Sequence, residues 1–256
     1  MRVFLAAALL TLVSVAALPR AAGQGRGGPA NAGAAASAAA KASAPVDMTG
    51  YWVSYVTEDW RFRMVTPRKG DYQAVPMTEQ ARKMADAWDP AADEASGNQC
   101  RAYGAAAIMR VPARFHITWQ DDNTLRVDSD SGMQTRLFHF NSPAFNSPAF
   151  NSTAPPPGER TWQGYSTAQW QRPASLKVAT TNMRAGYLRK NGVPYSENAA
   201  VTEYFDMAPL PSGGQVLMVT TIVDDPQYLQ QPFTVSSQFL KEADGSKWDP
   251  TPCTAK

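Results

Sequence analysis

This chain of 256 residues carries two histidines, His116 and His139. His116 lies in a run, 108–120, where apolar and polar side chains alternate. Asp121-Asp122-Asn123 then reads as a tight turn into a second alternating run, 124–130. With those three residues as a hairpin loop, Gln120 faces Thr124, and the register sets His116 opposite Asp128 and Thr118 opposite Arg126. Opposed residues in an antiparallel pair stand about 4.5–5.5 Å apart at Cβ. A carboxylate that orients an imidazole makes a general base, so His116 and Asp128 are the catalytic candidates. Arg126 or Arg61 would hold an anionic substrate, and such proton transfer suits a lyase, an isomerase or a hydrolase. On an outer wall the same pair is a salt bridge worth under about 1 kcal/mol. Phe115, Ile117, Trp119, Leu125 and Val127 occupy the other face of these two strands and read as core.

A second group of chemically capable residues is Glu58-Asp59-Trp60-Arg61-Phe62-Arg63. As a strand, 61–65 puts Arg61 and Arg63 on one face, and Glu203 alternates in the same way between Val201 and Phe205. Charged side chains pointing into a barrel need partners and can grip a polar ligand group; on an outer face they are simply solvated. Tryptophan and tyrosine offer a flat apolar face with one polar handle. The candidate ligand-binding set is therefore Trp60, Arg61, Arg63, Trp119, Arg126, Glu203 and Tyr204. No metal or cofactor is expected. HxH, HExxH and Cys/His clusters are absent. Asp128-Ser129-Asp130-Ser131-Gly132 has part of a calcium-loop pattern but lacks the closing glutamate. The chain has no G-x-S-x-G elbow and no phosphate-binding glycine loop.

The elements that must position these residues are mostly strands. Strand-like patterning covers 50–56, 61–65, 108–120, 124–130, 133–140, 160–165, 175–181, 200–206, 216–223 and 234–240. One helix is predicted over 78–88, with Thr78 as cap, Ala81, Met84, Ala85 and Trp88 on one face, and Asp89-Pro90 as its stop. Asn191-Gly192 signals a hairpin turn. The expected fold is all-β, an antiparallel lipocalin-like barrel with one short helix; a β-sandwich is the alternative. A barrel of eight to ten strands can enclose a small ligand.

The first 23 residues have the layout of an export signal: Arg2, an apolar run from Val3 to Leu18, then Pro19 and Ala21-Ala22-Gly23. Residues 24–46 are Gly/Ala/Ser-rich and read as a disordered spacer, leaving 47–256 as the barrel domain. The repeated Phe-Asn-Ser-Pro-Ala of 140–149 reads as an expanded surface loop. Without the leader, Lys plus Arg equals Asp plus Glu at 22 each. No basic excess invites nucleic acid, and no second apolar run is long enough to cross a membrane. In an exported chain the two cysteines, Cys100 and Cys253, read as one disulfide.

Several strings resemble a family of secreted bacterial proteins with no assigned activity: Gly50-Tyr51-Trp52, Thr57-Glu58-Asp59-Trp60-Arg61, Trp162-Gln163-Gly164-Tyr165, Tyr187-Leu188-Arg189-Lys190-Asn191-Gly192-Val193-Pro194-Tyr195, and the segment from Asp244 to Cys253. The likeness spans Asp47 to Cys253. Gly50-Tyr51-Trp52 also resembles the Gly-x-Trp start of lipocalins, which implies a tryptophan packed across the barrel base. The leading functional expectation is an exported protein binding a small, partly apolar molecule inside the barrel. The alternatives are an accessory protein of an exported complex and the His116-dependent enzyme.

Overall fold

The computed structural model describes residues 39–140 and 158–256. The segment read above as a leader, most of that read as a spacer and nearly all of the Phe-Asn-Ser-Pro-Ala repeat lie outside the described residues. Within them the period-two segments form eleven strands: β1 (Gly50–Tyr55), β2 (Arg114–Asp121), β3 (Thr124–Ser129), β4 (Gln134–Phe140), β5 (Tyr165–Gln171), β6 (Ser175–Thr181), β7 (Gly186–Arg189), β8 (Val193–Tyr195), β9 (Ala200–Pro209), β10 (Gln215–Asp224) and β11 (Phe233–Glu242). Nine close into a barrel in the order β1-β11-β10-β9-β6-β5-β4-β3-β2. The pairs are antiparallel except β4–β5, which is parallel. The β7–β8 hairpin stands outside the barrel as a sheet of its own. The expected barrel is therefore present, with one parallel seam.

Alternation decides what faces inward. Leu176, Val178 and Thr180 on β6, Val201, Glu203 and Phe205 on β9, and Leu217, Val219, Thr221 and Val223 on β10 are all buried, while their neighbours are not. Trp52, Phe115, Ile117, Leu125, Phe138 and Phe239 join them and fill the axis. The Trp52 indole donates to the Met48 carbonyl at 2.9 Å. One end is plugged by residues read from sequence as spacer. Ala40 is buried, its N–H donates to Asn123 Oδ1 at 3.0 Å, and its carbonyl accepts from the Trp170 indole at 3.1 Å. Structure thus begins before Asp47, because the open barrel end offers Ala40, Val46 and Met48 apolar surface to cover.

A second apolar cluster covers the other end. There Val201, Val223 and Phe233 meet Met77, Ala81 and Ala85, together with Leu188, Val193 and Tyr195 of the outer hairpin. Three short helices sit on this side: α1 (Trp60–Arg63), α2 (Glu79–Asp86) and α3 (Pro90–Ala95). The predicted helix is α2, capped by the Thr78 hydroxyl, which accepts from the Ala81 N–H. The strand expected over 61–65 is instead α1. Asp59 adopts a left-handed backbone (φ 52°), and its carbonyl accepts from the N–H groups of Phe62 and Arg63. A short alternating run suits either state, and the turn at Asp59 chooses helix. The expected strand at 160–165 is also corrected. Gly164 turns there at φ +59°, and a Cβ on it would fall 2.3 Å from the Thr181 carbonyl. The strand therefore starts at Tyr165. In the β7–β8 turn, Gly192 (φ +83°) lies so close to Trp88 that a Cβ would fall 2.3 Å from it.

Cys100 and Cys253 form the expected disulfide. It anchors the C-terminal segment, which crosses the outer face of β2 and β3. Thr251 exchanges backbone bonds with Asp130 and Gly132, and Trp248 packs edge-on to Tyr51.

Candidate anion-binding cleft

Three arginines from distant parts of the chain meet at the end covered by the second cluster. Arg63 ends α1. Arg110 ends a 3-10 turn, Ile108–Arg110, formed just before β2. Arg189 ends β7, where the hairpin turns back through Asn191-Gly192. Only 7%, 6% and 3% of these residues is exposed, respectively. They line one cleft of about 270 Å³, with Phe62, Met64, Val65, Ala107, Val111 and Leu188 among its apolar walls.

What the guanidinium groups lack is as informative as what they touch. Arg63 donates through Nε to the Arg110 carbonyl at 2.9 Å, and both its terminal nitrogens are buried without a partner. Arg189 donates through Nη1 to the Gln73 carbonyl at 2.8 Å; its Nε and Nη2 are buried and unpartnered. Arg110 reaches Asp59 at 3.1 Å and leaves Nη2 unpartnered. Of the other nearby carboxylates, Asp71 is held by Arg61, and Glu58, which acts on Arg63 only through its charge, accepts from Gln238. Arg63 and Arg189 therefore touch no carboxylate among the described residues. Burial, and after it the neighbouring Arg110 charge, lowers both Arg63 and Arg189 to a pKa of about 10. Both remain cations at neutral pH. The Phe62 ring supports Arg189, whose Cζ lies 4.1 Å from the ring centroid, a cation–π contact strengthened by desolvation.

The sequence-derived candidates scatter. His116 and Asp128 are paired in register on β2 and β3, as expected, along with Thr118 and Arg126. The turn differs by one residue: Asp121, not Gln120, faces Thr124, and a bulge between Trp119 and Asp121 absorbs the change. Both side chains line one outer cleft with Tyr51 and Trp248, without a hydrogen bond between them. Phe115 and Ile117 point into the core, so His116 lies on the outer wall. Its ring stacks on Tyr51, centroids 4.0 Å apart. Asp128 instead accepts two hydrogen bonds from Arg126, at 2.7 and 2.9 Å, and one from Thr135 at 2.6 Å. A same-strand arginine two positions away reaches the carboxylate more readily than an imidazole committed to an aromatic stack.

The proposed ligand-binding residues also separate. Arg63 lines the cleft, and Trp60 and Arg61 stand beside it on α1. Arg61 and Arg63 do not share a face, because successive helical positions rotate by about 100°. Trp119 plugs the opposite barrel end, its ring 5.6 Å from Phe140. Arg126 stays on the outer wall. Glu203 is inside the barrel with no exposed surface, bound to Arg136, and so cannot face a ligand. Tyr204 sits on the outer face, with Lys177 Nζ 5.8 Å from its ring centroid. Trp52, Phe115, Phe138, Phe205 and Phe239 are buried in the barrel interior, where the ligand was expected. Arg110 and Arg189 were missed. Arg110 had a legible signal, as the one charge within the apolar run Ala105-Ala106-Ala107-Ile108-Met109-Arg110-Val111. Arg189 had none, since Arg189-Lys190 beside a turn reads as solvated.

Among the described residues no group of His, Cys, Asp or Glu side chains is arranged to hold a metal, and no helix is long and apolar enough to cross a membrane. Comparison with family models, curated proteins and solved structures gave no match.

Proposed function

We propose that this is an exported binding protein that takes a small anionic molecule in the cleft of Arg63, Arg110 and Arg189. One observation carries the reading: two buried guanidinium groups without a carboxylate partner line the same cleft. An unpaired buried charge costs several kcal/mol, and an anion entering the cleft removes that cost while bonding to nitrogens that have no other acceptor. The planar guanidinium fork suits carboxylate, phosphate or sulfate groups. The apolar walls fit a ligand that is apolar beyond its charged group. Export is supported by the leader-like start of the chain and by the disulfide, which persists in oxidising compartments.

The test is calorimetric titration of the full chain with inorganic phosphate, sulfate and acetate at constant ionic strength, using chloride as control. Saturable binding of at least one anion is expected, and it is lost in Arg63→Met and Arg189→Met. Binding unchanged in both variants, or no binding of any anion, refutes the proposal.

A further inference from the structure

The short helix beside the cleft buries a charge and exposes a tryptophan. A surface helix normally turns its apolar side to the core and its charges to water. On α1, Arg63 is buried, while Trp60 is 66% exposed. Met64 lies one turn beyond Trp60, its N–H donating to the Trp60 carbonyl at 2.8 Å, and it is 58% exposed; Val65 is 67% exposed. Four of the seven exposed large apolar side chains among the described residues fall between Tyr55 and Val65. Met64 and Val65 also line the cleft itself, next to Arg63. A continuous surface thus runs from buried cationic nitrogens outward onto an apolar rim.

Resting on the anion-binding reading, we infer that the ligand is an amphiphile: its anionic head enters the arginine cleft and its apolar chain lies along Met64, Val65 and Trp60. The cleft, at about 270 Å³, is smaller than the pockets that usually enclose a whole drug-sized ligand, so it takes the head and leaves the chain for the rim. Contiguous exposed apolar surface beside a polar site marks where an apolar partner binds. A single molecule is favoured over a bilayer for two reasons. The guanidinium nitrogens are recessed from the surface, so a head must leave the membrane plane to reach them. The chain also lacks the basic excess that draws proteins onto anionic membranes, its formal net charge being +2.

The experiment compares inorganic phosphate, octyl phosphate and octyl glucoside below their micellar concentrations, by calorimetric titration of the full chain at constant ionic strength. Octyl phosphate is expected to bind at least about tenfold more tightly than phosphate, a gain that burial of roughly two methylenes supplies. The Trp60→Ser variant changes one exposed side chain that does not line the cleft. It should keep the phosphate affinity within about twofold and reduce the octyl gain to below about threefold. Equal affinities for phosphate and octyl phosphate overturn the amphiphile and leave the anion site standing. Octyl glucoside binding as tightly as octyl phosphate also overturns it, because the head would then contribute nothing. No binding of either phosphate overturns the amphiphile, and overturns the anion site as well where sulfate and acetate also fail to bind. Co-sedimentation with anionic vesicles, without binding of monomeric octyl phosphate, assigns the rim to a membrane surface and overturns the inference as well.

Discussion

Among the described residues arginine is buried at two places, and the two differ in what faces the charge. Inside the barrel, Arg136 donates to both oxygens of Glu203, at 3.1 and 2.5 Å, and to the Thr180 hydroxyl at 3.3 Å. Thr180 in turn shares a hydrogen bond with Ser166 at 2.7 Å. At the barrel end, Arg63 and Arg189 are about as deeply buried and have only backbone carbonyls and an aromatic ring for company. The first arrangement satisfies its charge from within the chain, which closes it to ligands. The second leaves donors open. Burial alone therefore does not distinguish the two places; the presence or absence of a carboxylate partner does.

The largest expected effect is in the barrel. Glu203→Gln strands the Arg136 charge and should cost about 3–5 kcal/mol, read by urea unfolding. Arg63→Met removes one hydrogen bond but also an unpaired buried charge and its repulsion with Arg110, so it should destabilise by no more than about 1 kcal/mol. If Arg63→Met is as damaging as Glu203→Gln, the contrast between the two sites collapses.

The cleft is assembled from loops and the barrel from a hydrogen-bonded ladder, so their covalent needs differ. The disulfide closes a loop of 153 residues and enters the chain just before the 3-10 turn Arg101–Tyr103. Replacing both cysteines with alanine should destabilise the protein by about 2–5 kcal/mol. Hydrogen exchange should show 100–110 and 186–192 opening before β9–β11. Uniform loss of protection would mean that the two regions unfold as one unit.

Anion binding separates the sites by pH. Phosphate at a hundred times its Kd should stabilise the wild type by about 2.7 kcal/mol. Glu203→Gln should retain that increment and Arg63→Met lose it. Arg63 and Arg189 titrate at about 10 in the free protein, and a bound anion raises those values by favouring the charged form. Affinity for sulfate, whose own charge is constant in this range, should therefore hold level up to about pH 9 and fall as pH rises through 10, because the anion must then pay to reprotonate the site. A midpoint near pH 6 to 7 instead would assign binding to histidine.

The smallest effect belongs to His116. Its stack on Tyr51 predicts a loss of about 0.5–1.5 kcal/mol in His116→Ala, with anion binding unchanged. Loss of phosphate binding in this variant would move the site to the outer wall. His139, stacked on Tyr165, has its pKa lowered by burial. The folded chain takes up a proton there less readily than the unfolded chain, which does so at about pH 6.5, so the contribution of His139 to stability falls as pH drops below that value.

Much of the barrel could be read from residues because alternation is a local signal. β6 follows its predicted run residue for residue, and the His116–Asp128 register survives a one-residue error at the turn because the bulge absorbs it. The strand expected over 61–65 fails where only five alternating residues compete with a left-handed turn at Asp59. The site was less legible. Arg63 was named for a ligand but for the wrong wall, since alternation paired it with Arg61. Glu203 was correctly allowed an inward direction, yet its partner, Arg136, lies 67 positions away on β4.

From the amino acids alone follow the β-rich fold, the strand faces, the α2 cap and, with two cysteines in a chain read as exported, the disulfide. Each rests on interactions between neighbours in sequence or on simple counting. Tertiary structure alone decided which buried arginine has a carboxylate and which does not. Arg63, Arg110 and Arg189 come together only when a helical turn, a 3-10 turn and an outer hairpin pack on one barrel end. Coulomb interactions depend on distance in space and on the water excluded between charges, and neither is encoded locally along the chain.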